Sequence, residues 1–185
     1  MARPEDPTAR ERILDAAHPL FYERGIRAVG MAEVVAAAGT GKQALYRHFP
    51  GKDELVLAYL ERFAELLDAS TARTLDGLEG ADGLRALIRL VERRVGARGY
   101  AGCPFRNYLR EMRDPRDRPG RFALRQVRAL RRLVERYAAE AGVADPGALA
   151  EEVWLIVEGV YAGAPYPERR AMAAAAVGRV DALLI

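Results

Sequence analysis

Apolar side chains recur along this chain every three or four residues, and nowhere do Val, Ile, Thr, Tyr or Phe alternate with polar residues over a strand's length. The pattern predicts helices throughout and no sheet. Thr8 followed by Glu11 has the spacing of a capping box, in which a hydroxyl and a carboxylate satisfy backbone N–H groups at a helix start. The helix it opens carries Ile13, Ala17, Leu20 and Phe21 on one face, places His18 on its polar side and ends at Gly25. Pro19 offers no N–H to the carbonyl of Asp15, which predicts a kink or break there. Short helices follow over about 31–38 and 42–48, separated by Gly39, and Pro50 and Gly51 break the chain. From Lys52 a long amphipathic pattern through Leu55, Tyr59, Phe63, Leu66 and Leu67 runs to about Thr74, and DGLEGADG then reads as a loop. Further helices are predicted over about 84–98, 104–112, 120–141, 148–163 and 168–184, punctuated by Pro115, Pro119, Pro146, Pro165 and Pro167. No repeat of solenoid length is visible.

Composition narrows the class. Of the 185 residues half are hydrophobic and 30% charged, the balance of a folded globular chain with room for its own core. The net charge of +3 is mild, so where the positive side chains stand matters more than their sum. A single cysteine, Cys103, excludes an intramolecular disulfide and a cysteine zinc cage, which fits a reducing cytoplasm. The opening MARPEDPTARERI lacks the apolar centre of a secretory signal, and no apolar run is long enough to span a bilayer. A cytoplasmic location without membrane association is expected. His18 and His48 have no second histidine or paired carboxylate at metal-ligand spacing, and no G-x-S-x-G, H-E-x-x-H or dinucleotide fingerprint occurs. The expectation is a protein that is not an enzyme and carries no metal and no cofactor.

The stretch AGTGKQALYRHF, residues 38–49, carries the most chemistry and admits two readings. A phosphate-cradling loop needs G-x-x-x-x-G-K-[ST] after a hydrophobic strand. Gly41 and Lys42 match it, but Ala36 and Gln43 stand where the first glycine and the magnesium-binding hydroxyl belong, and the preceding MAEVVAAA reads as helix. A helical nucleotide-binding enzyme is therefore the lesser reading. In the other, two short helices joined by a glycine turn form a helix-turn-helix, whose second helix enters the major groove of DNA. Val34, Val35 and Ala38 can pack on Leu45 and Phe49, which turns Lys42, Gln43, Tyr46 and Arg47 outward. Lysine and arginine bond phosphates or guanine edges, glutamine pairs with adenine, and tyrosine reaches a phosphate or a thymine methyl.

The segment ILDAAHPLFYERGIRAVGMAEVVAAAGTGKQALYRHFPGKDELVLAYLE resembles the N-terminal DNA-binding region of the TetR/AcrR family of transcriptional regulators. The joint spacing of LF, Gly25, AAAG, Lys42, LY, Phe49 and Lys52 carries the resemblance over about the first third of the chain. It implies an all-α fold, with a three-helix helix-turn-helix DNA-binding domain over residues 1–52 and a larger helical effector-binding and dimerisation domain over 53–185. It makes Thr40, Lys42, Gln43, Ala44, Tyr46 and Arg47 the DNA-facing residues, with His48 and Lys52 near the phosphate backbone. Gly41 stands where the family commonly has a capping serine or threonine, so a weaker cap is expected unless Thr40 takes the role. Gly30 and Met31 replace hydroxyl residues that often open the preceding helix near a phosphate, leaving a backbone N–H to serve there. The implied partners are double-stranded operator DNA, a small-molecule effector and a second copy of the chain, and the implied activity is that of a ligand-responsive repressor.

Cys103 lies in GYAGCPFRNYLRE, which resembles a GCPF-x-N motif of one subgroup at the edge of the effector cavity, so a redox- or electrophile-sensing regulator is the alternative to a small buried packing role. Arg121, Arg125, Arg128 and Arg132 form a stripe at helical spacing, read as a solvated face. Tyr100, Cys103, Phe105, Tyr108, Tyr137, Trp154 and Tyr161 are the candidates for a partly apolar effector pocket. Val153, Ile156, Val157 and Val160, with Ala173, Val177, Val180 and Leu184, make two apolar faces among many alanines. The resemblance implies that this helix pair meets its symmetry mate in a two-fold dimer.

Overall fold

A computed structural model of the chain describes residues 8–112 and 116–185, and among these it contains nine helices and no strand. They are α1 (Ala9–Arg24), α2 (Met31–Ala37), α3 (Lys42–His48), α4 (Lys52–Leu75), α5 (Gly80–Gly96), α6 (Pro104–Glu111), α7 (Arg118–Ala139), α8 (Pro146–Ala162) and α9 (Arg169–Leu183). Pro115, read above as a break, lies outside the described residues. By contact the chain divides into two compact units, one comprising the chain up to Ala64 with Pro104–Leu124, the other Glu65–Cys103 with Arg125–Ile185. The division by contact falls inside α4, and α6 belongs to the first unit.

The first unit closes over Ile13, Leu14, Ala17 and Phe21 of α1, Val34 of α2, Leu45 of α3 and Leu55, Val56, Tyr59 and Leu60 of α4, all buried. Its first helix differs from expectation in three ways. Thr8 makes no side-chain cap, because it already has helical φ/ψ of −89° and −8° and so lacks the extended geometry of a cap residue. Its carbonyl accepts the Arg12 N–H at 3.0 Å, and the Glu11 carboxylate pairs with Arg10 instead. The helix also runs unbroken through Pro19, which is exposed, as is Asp15, so the carbonyl left without a donor is on the solvent side. His18 is not on a polar face. It stacks on Phe63 with ring centroids 4.8 Å apart and meets Tyr59 edge-on at 5.6 Å, and this burial, helped by the Arg62 charge, lowers its pKa below the ordinary 6.5. A neutral imidazole packs there as an aromatic ring.

The second unit has α5 packed most extensively on α9, with α8 against both. Its surprise is the start of α5, which begins at Gly80 instead of Leu84 and takes two glycines of the expected loop into the helix. Gly80 has φ +47°, and a β-carbon there would stand 2.5 Å from the Glu140 carbonyl oxygen; at Gly83 it would fall inside the Tyr137 ring. These glycines let α7 and the residues just past its end come close rather than breaking a helix. At its other end α5 is held by α9, where Arg169 and Arg170 donate to the carbonyls of Val95 and Gly96 at 3.2 and 3.1 Å. Helix α8 starts at Pro146 because Asp145 caps it, its carboxylate accepting the Ala148 N–H at 2.9 Å while Pro146 occupies a first-turn position that needs no donor. No helix among the described residues is long and apolar enough to cross a membrane.

Candidate nucleic-acid interface

Two seven-residue helices frame the site. After α2 the chain turns at Gly39, whose φ of +58° is a conformation that a side chain opposes. Gly41 then opens α3 in an extended conformation, and its carbonyl accepts the N–H groups of Ala44 and Leu45 at 3.0 and 3.1 Å. No side chain caps this helix, so Thr40 does not take the role left open by Gly41. Leu45 and Phe49 are buried, and this fixes the rotation of α3. Lys42, Gln43, Tyr46 and Arg47 are consequently exposed together, while Thr40, Ala44, His48 and Lys52 are half-buried around them. The Lys42 ammonium stands 5.8 Å from the centre of the Tyr46 ring, which leaves its charge directed along the exposed face. No acidic residue lies on α3, so the surface is a short strip of two cations, an amide and a phenol. The segment before the GTGK turn is helix α2, and without a preceding strand the phosphate-cradle geometry is not formed.

The start of α2 carries a feature that the motif did not announce. Glu33 reaches back so that its carboxylate accepts the Gly30 N–H at 3.1 Å, and Arg24 pairs with the same group at 2.7 Å. The Gly30 N–H, followed by the Arg24 hydrogen bond, lowers the Glu33 pKa, so the group stays ionised. The Gly30 N–H is thus already occupied. The sequence signal was the glutamate three residues after the cap, with glycine standing where a hydroxyl residue is usual.

The sequence profile described as "Bacterial regulatory proteins, tetR family" matches residues 13–59, the segment that contains this turn. Over 88 residues the chain is 36% identical to the HTH-type transcriptional regulator Rv1255c of Mycobacterium tuberculosis, covering 47% of this chain and 44% of that protein. It is 30% identical over 123 residues to the probable HTH-type transcriptional regulator ArpR of Pseudomonas putida, covering 60% of this chain and 59% of that one. The match therefore spans about half the length of these relatives. The fold extends the likeness over nearly the whole chain: a TetR-family transcriptional regulator from Streptomyces coelicolor, SCO4454, superposes with a TM-score of 0.87 at 29% identity, covering 95% of this chain and 94% of that one. Residues 13–59 thus form a TetR-family segment, and the whole chain has the fold of a TetR-family regulator.

The other candidate residues are placed less simply. Phe105 and Tyr108 are buried in the first unit, where Phe105 meets Phe122 edge-on at 6.3 Å and the Tyr108 hydroxyl donates to Asp117 at 2.7 Å. Burial, reinforced by that carboxylate, pushes the Tyr108 pKa far up, so the phenol stays neutral. In the second unit Cys103, Tyr137 and Tyr161 are buried and Tyr100 and Trp154 half-buried, with the Arg131 guanidinium 5.9 Å from the Trp154 ring. Tyr137 lines a cleft of about 590 Å³ with Asp68, Leu75, Leu78, Leu133 and Glu140. On the terminal helices Val153, Val157, Val160, Ala173 and Val180 are buried within the chain's own second unit, and Ile156, Val177 and Leu184 are half-buried. The side of this pair that remains exposed carries Leu155, Gly159 and Ala162 on α8, and Ala171, Ala175, Gly178 and Ala182 on α9.

Proposed function

We propose that this TetR-family regulator binds a pseudo-palindromic operator as a homodimer, represses transcription from it, and is released or weakened by a small organic effector. The observation that carries this reading is the exposed set Lys42, Gln43, Tyr46 and Arg47 on a helix whose opposite side, Leu45, is fully buried. These side chains are a phosphate and base-edge reading set on a rigid support. One seven-residue helix offers too few contacts for a specific site, and two copies reaching half-sites about 34 Å apart supply the rest. The exposed residues of α8 and α9 suit the pairing of copies. Leu155 is 69% exposed, and the small side chains at 159, 162, 171, 175, 178 and 182 allow close helix approach. Val153, Val157 and Val180 support this face from behind.

The effector is assigned to the second unit, among Tyr100, Cys103, Tyr137, Trp154 and Tyr161, and it acts only by binding one arrangement of the protein better than another. Burial of Cys103 favours its packing role over the redox alternative. The decisive experiment is sequencing of genomic DNA that co-purifies with the protein, followed by binding to the recovered fragment. Enrichment of one inverted repeat supports the reading, and sequence-independent recovery sinks it. Light scattering showing a monomer at micromolar concentration removes the half-site mechanism.

A further inference from the structure

Glu111 ends α6 and lies 84 positions beyond Arg27, yet its Oε2 accepts the Arg27 N–H at 3.0 Å. Its Oε1 occupies the space beside Gly25, where a β-carbon would stand 3.0 Å away, and Gly25 already has φ +85°. Gly25 and Arg27 belong to the linker between α1 and α2, so one carboxylate grips the segment from which α2 departs. Helices α2 and α3 pack on each other and on α1, so the linker's path fixes where the exposed face of α3 stands. One turn behind Glu111 on α6, the Tyr108 hydroxyl donates to Asp117 Oδ2, and Asp117 Oδ1 accepts the Gly120 N–H at 2.6 Å in the first turn of α7. The first turn of α7, the body of α6 and the linker are thereby joined through two carboxylates.

We propose that Glu111 is a positioning residue for the reading helix: its carboxylate tethers the α1–α2 linker to α6, so that the placement of α6 sets the placement of α2 and α3. This rests on the reading of α3 as the DNA-contacting element. A carboxylate bound to a backbone N–H is a strong, short and directional tie. Glu111 is only half-buried, so its removal leaves no buried charge behind and its effect is geometric. A displaced α6 would carry the linker with it or release it, and either event changes the angle of α3.

The test compares Glu111→Ala and Glu111→Gln with the unaltered chain, reading amide hydrogen exchange at Arg27 by NMR and affinity for the co-purified DNA fragment in one buffer. In Glu111→Ala the Arg27 amide is expected to exchange about tenfold faster and DNA binding to weaken about tenfold, the size of one lost charge-assisted bond. Glu111→Gln keeps an oxygen that accepts the same N–H, and it should stay within about threefold of the unaltered chain on both readouts. A purely structural role would lower the melting temperature without this rescue pattern. Rapid exchange at Arg27 in Glu111→Ala with undiminished DNA affinity overturns the proposal, as does unchanged exchange in that variant. If the unaltered chain shows no DNA preference, the operator reading fails, and the exchange pattern by itself then decides whether the tether exists.

Discussion

Gly39 and Gly41, on either side of Thr40 ahead of α3, would each find open space around a β-carbon, whereas at the start of α5 Gly83 would drive one into Tyr137 of α7 and Gly80 one into the backbone at Glu140, just past the end of α7. The same residue type serves the two places for different reasons. Beside the reading helix, Gly39 answers a demand of the backbone alone, its positive φ, and Gly41 has no such demand. At the α4–α5 junction the neighbouring helix has taken the volume that a side chain would fill. The comparison separates a surface kept open to a partner from a surface spent on the chain's own packing.

The largest effect should come from closing the tight site. Gly80→Ala combines a strained positive φ with a backbone carbonyl that cannot swing aside, and a loss of about 3 kcal/mol in urea unfolding is expected. A loss below about 1 kcal/mol would mean that the backbone at Glu140 yields easily, and the contrast with Gly41 would collapse. Next, Arg47→Ala or Tyr46→Ala on the open side should weaken operator binding by about 1–3 kcal/mol and change stability by less than about 0.5 kcal/mol. Equal damage to folding and binding would place these side chains in the core instead. A smaller effect of opposite sign is expected at Tyr137, whose buried hydroxyl finds no hydrogen-bond partner among the described residues. Tyr137→Phe should raise stability by about 1 kcal/mol in the same urea experiment, and a comparable loss would reveal a bonded hydroxyl. The smallest is Gly41→Ser, which supplies a missing cap at a negative φ with nothing to collide with. It should add a few tenths of a kcal/mol, about 0.3, and leave operator binding unchanged or tighter; marked loss of binding would show that the bare glycine backbone is needed at the DNA.

The contrast also marks what the sequence could disclose. Helix α3 was legible to the residue, because Leu45 and Phe49 four apart, with Lys42 and Gln43 before them and Tyr46 and Arg47 between them, define one buried and one open side by periodicity alone. The beginning of α5 was not, since glycine signals a loop until the neighbour occupying its missing side chain is known, and that neighbour, Tyr137, is 54 positions after Gly83. Val153, Val157 and Val180 were correctly seen as an apolar face, but periodicity carries no information on whether such a face meets the chain's own core or another copy. His18 misled because histidine is weighed as polar, whereas its aromatic neighbours Tyr22, Tyr59 and Phe63 are visible only once α1 and α4 are side by side. The grip of Glu111 on Arg27 had no local signal at all.

The ion pair seated on the Gly30 N–H at the head of α2 has a consequence for how a DNA complex responds to ionic strength. Phosphates near a helix start normally draw on its positive dipole end, but here the ionised Glu33 carboxylate is already seated on the Gly30 N–H, with Arg24 neutralising it. A phosphate arriving there would meet a screened pole and displace few counterions. On the proposed operator reading, Lys42 and Arg47 would then be the chief cations that α3 brings to the phosphates, each contributing about −0.9 to the slope of log affinity against log salt. The complex would dissolve more gradually on adding salt than 29 basic residues in the chain suggest, so discrimination between DNA sequences would rest more on base-edge contacts than on the pull of the backbone.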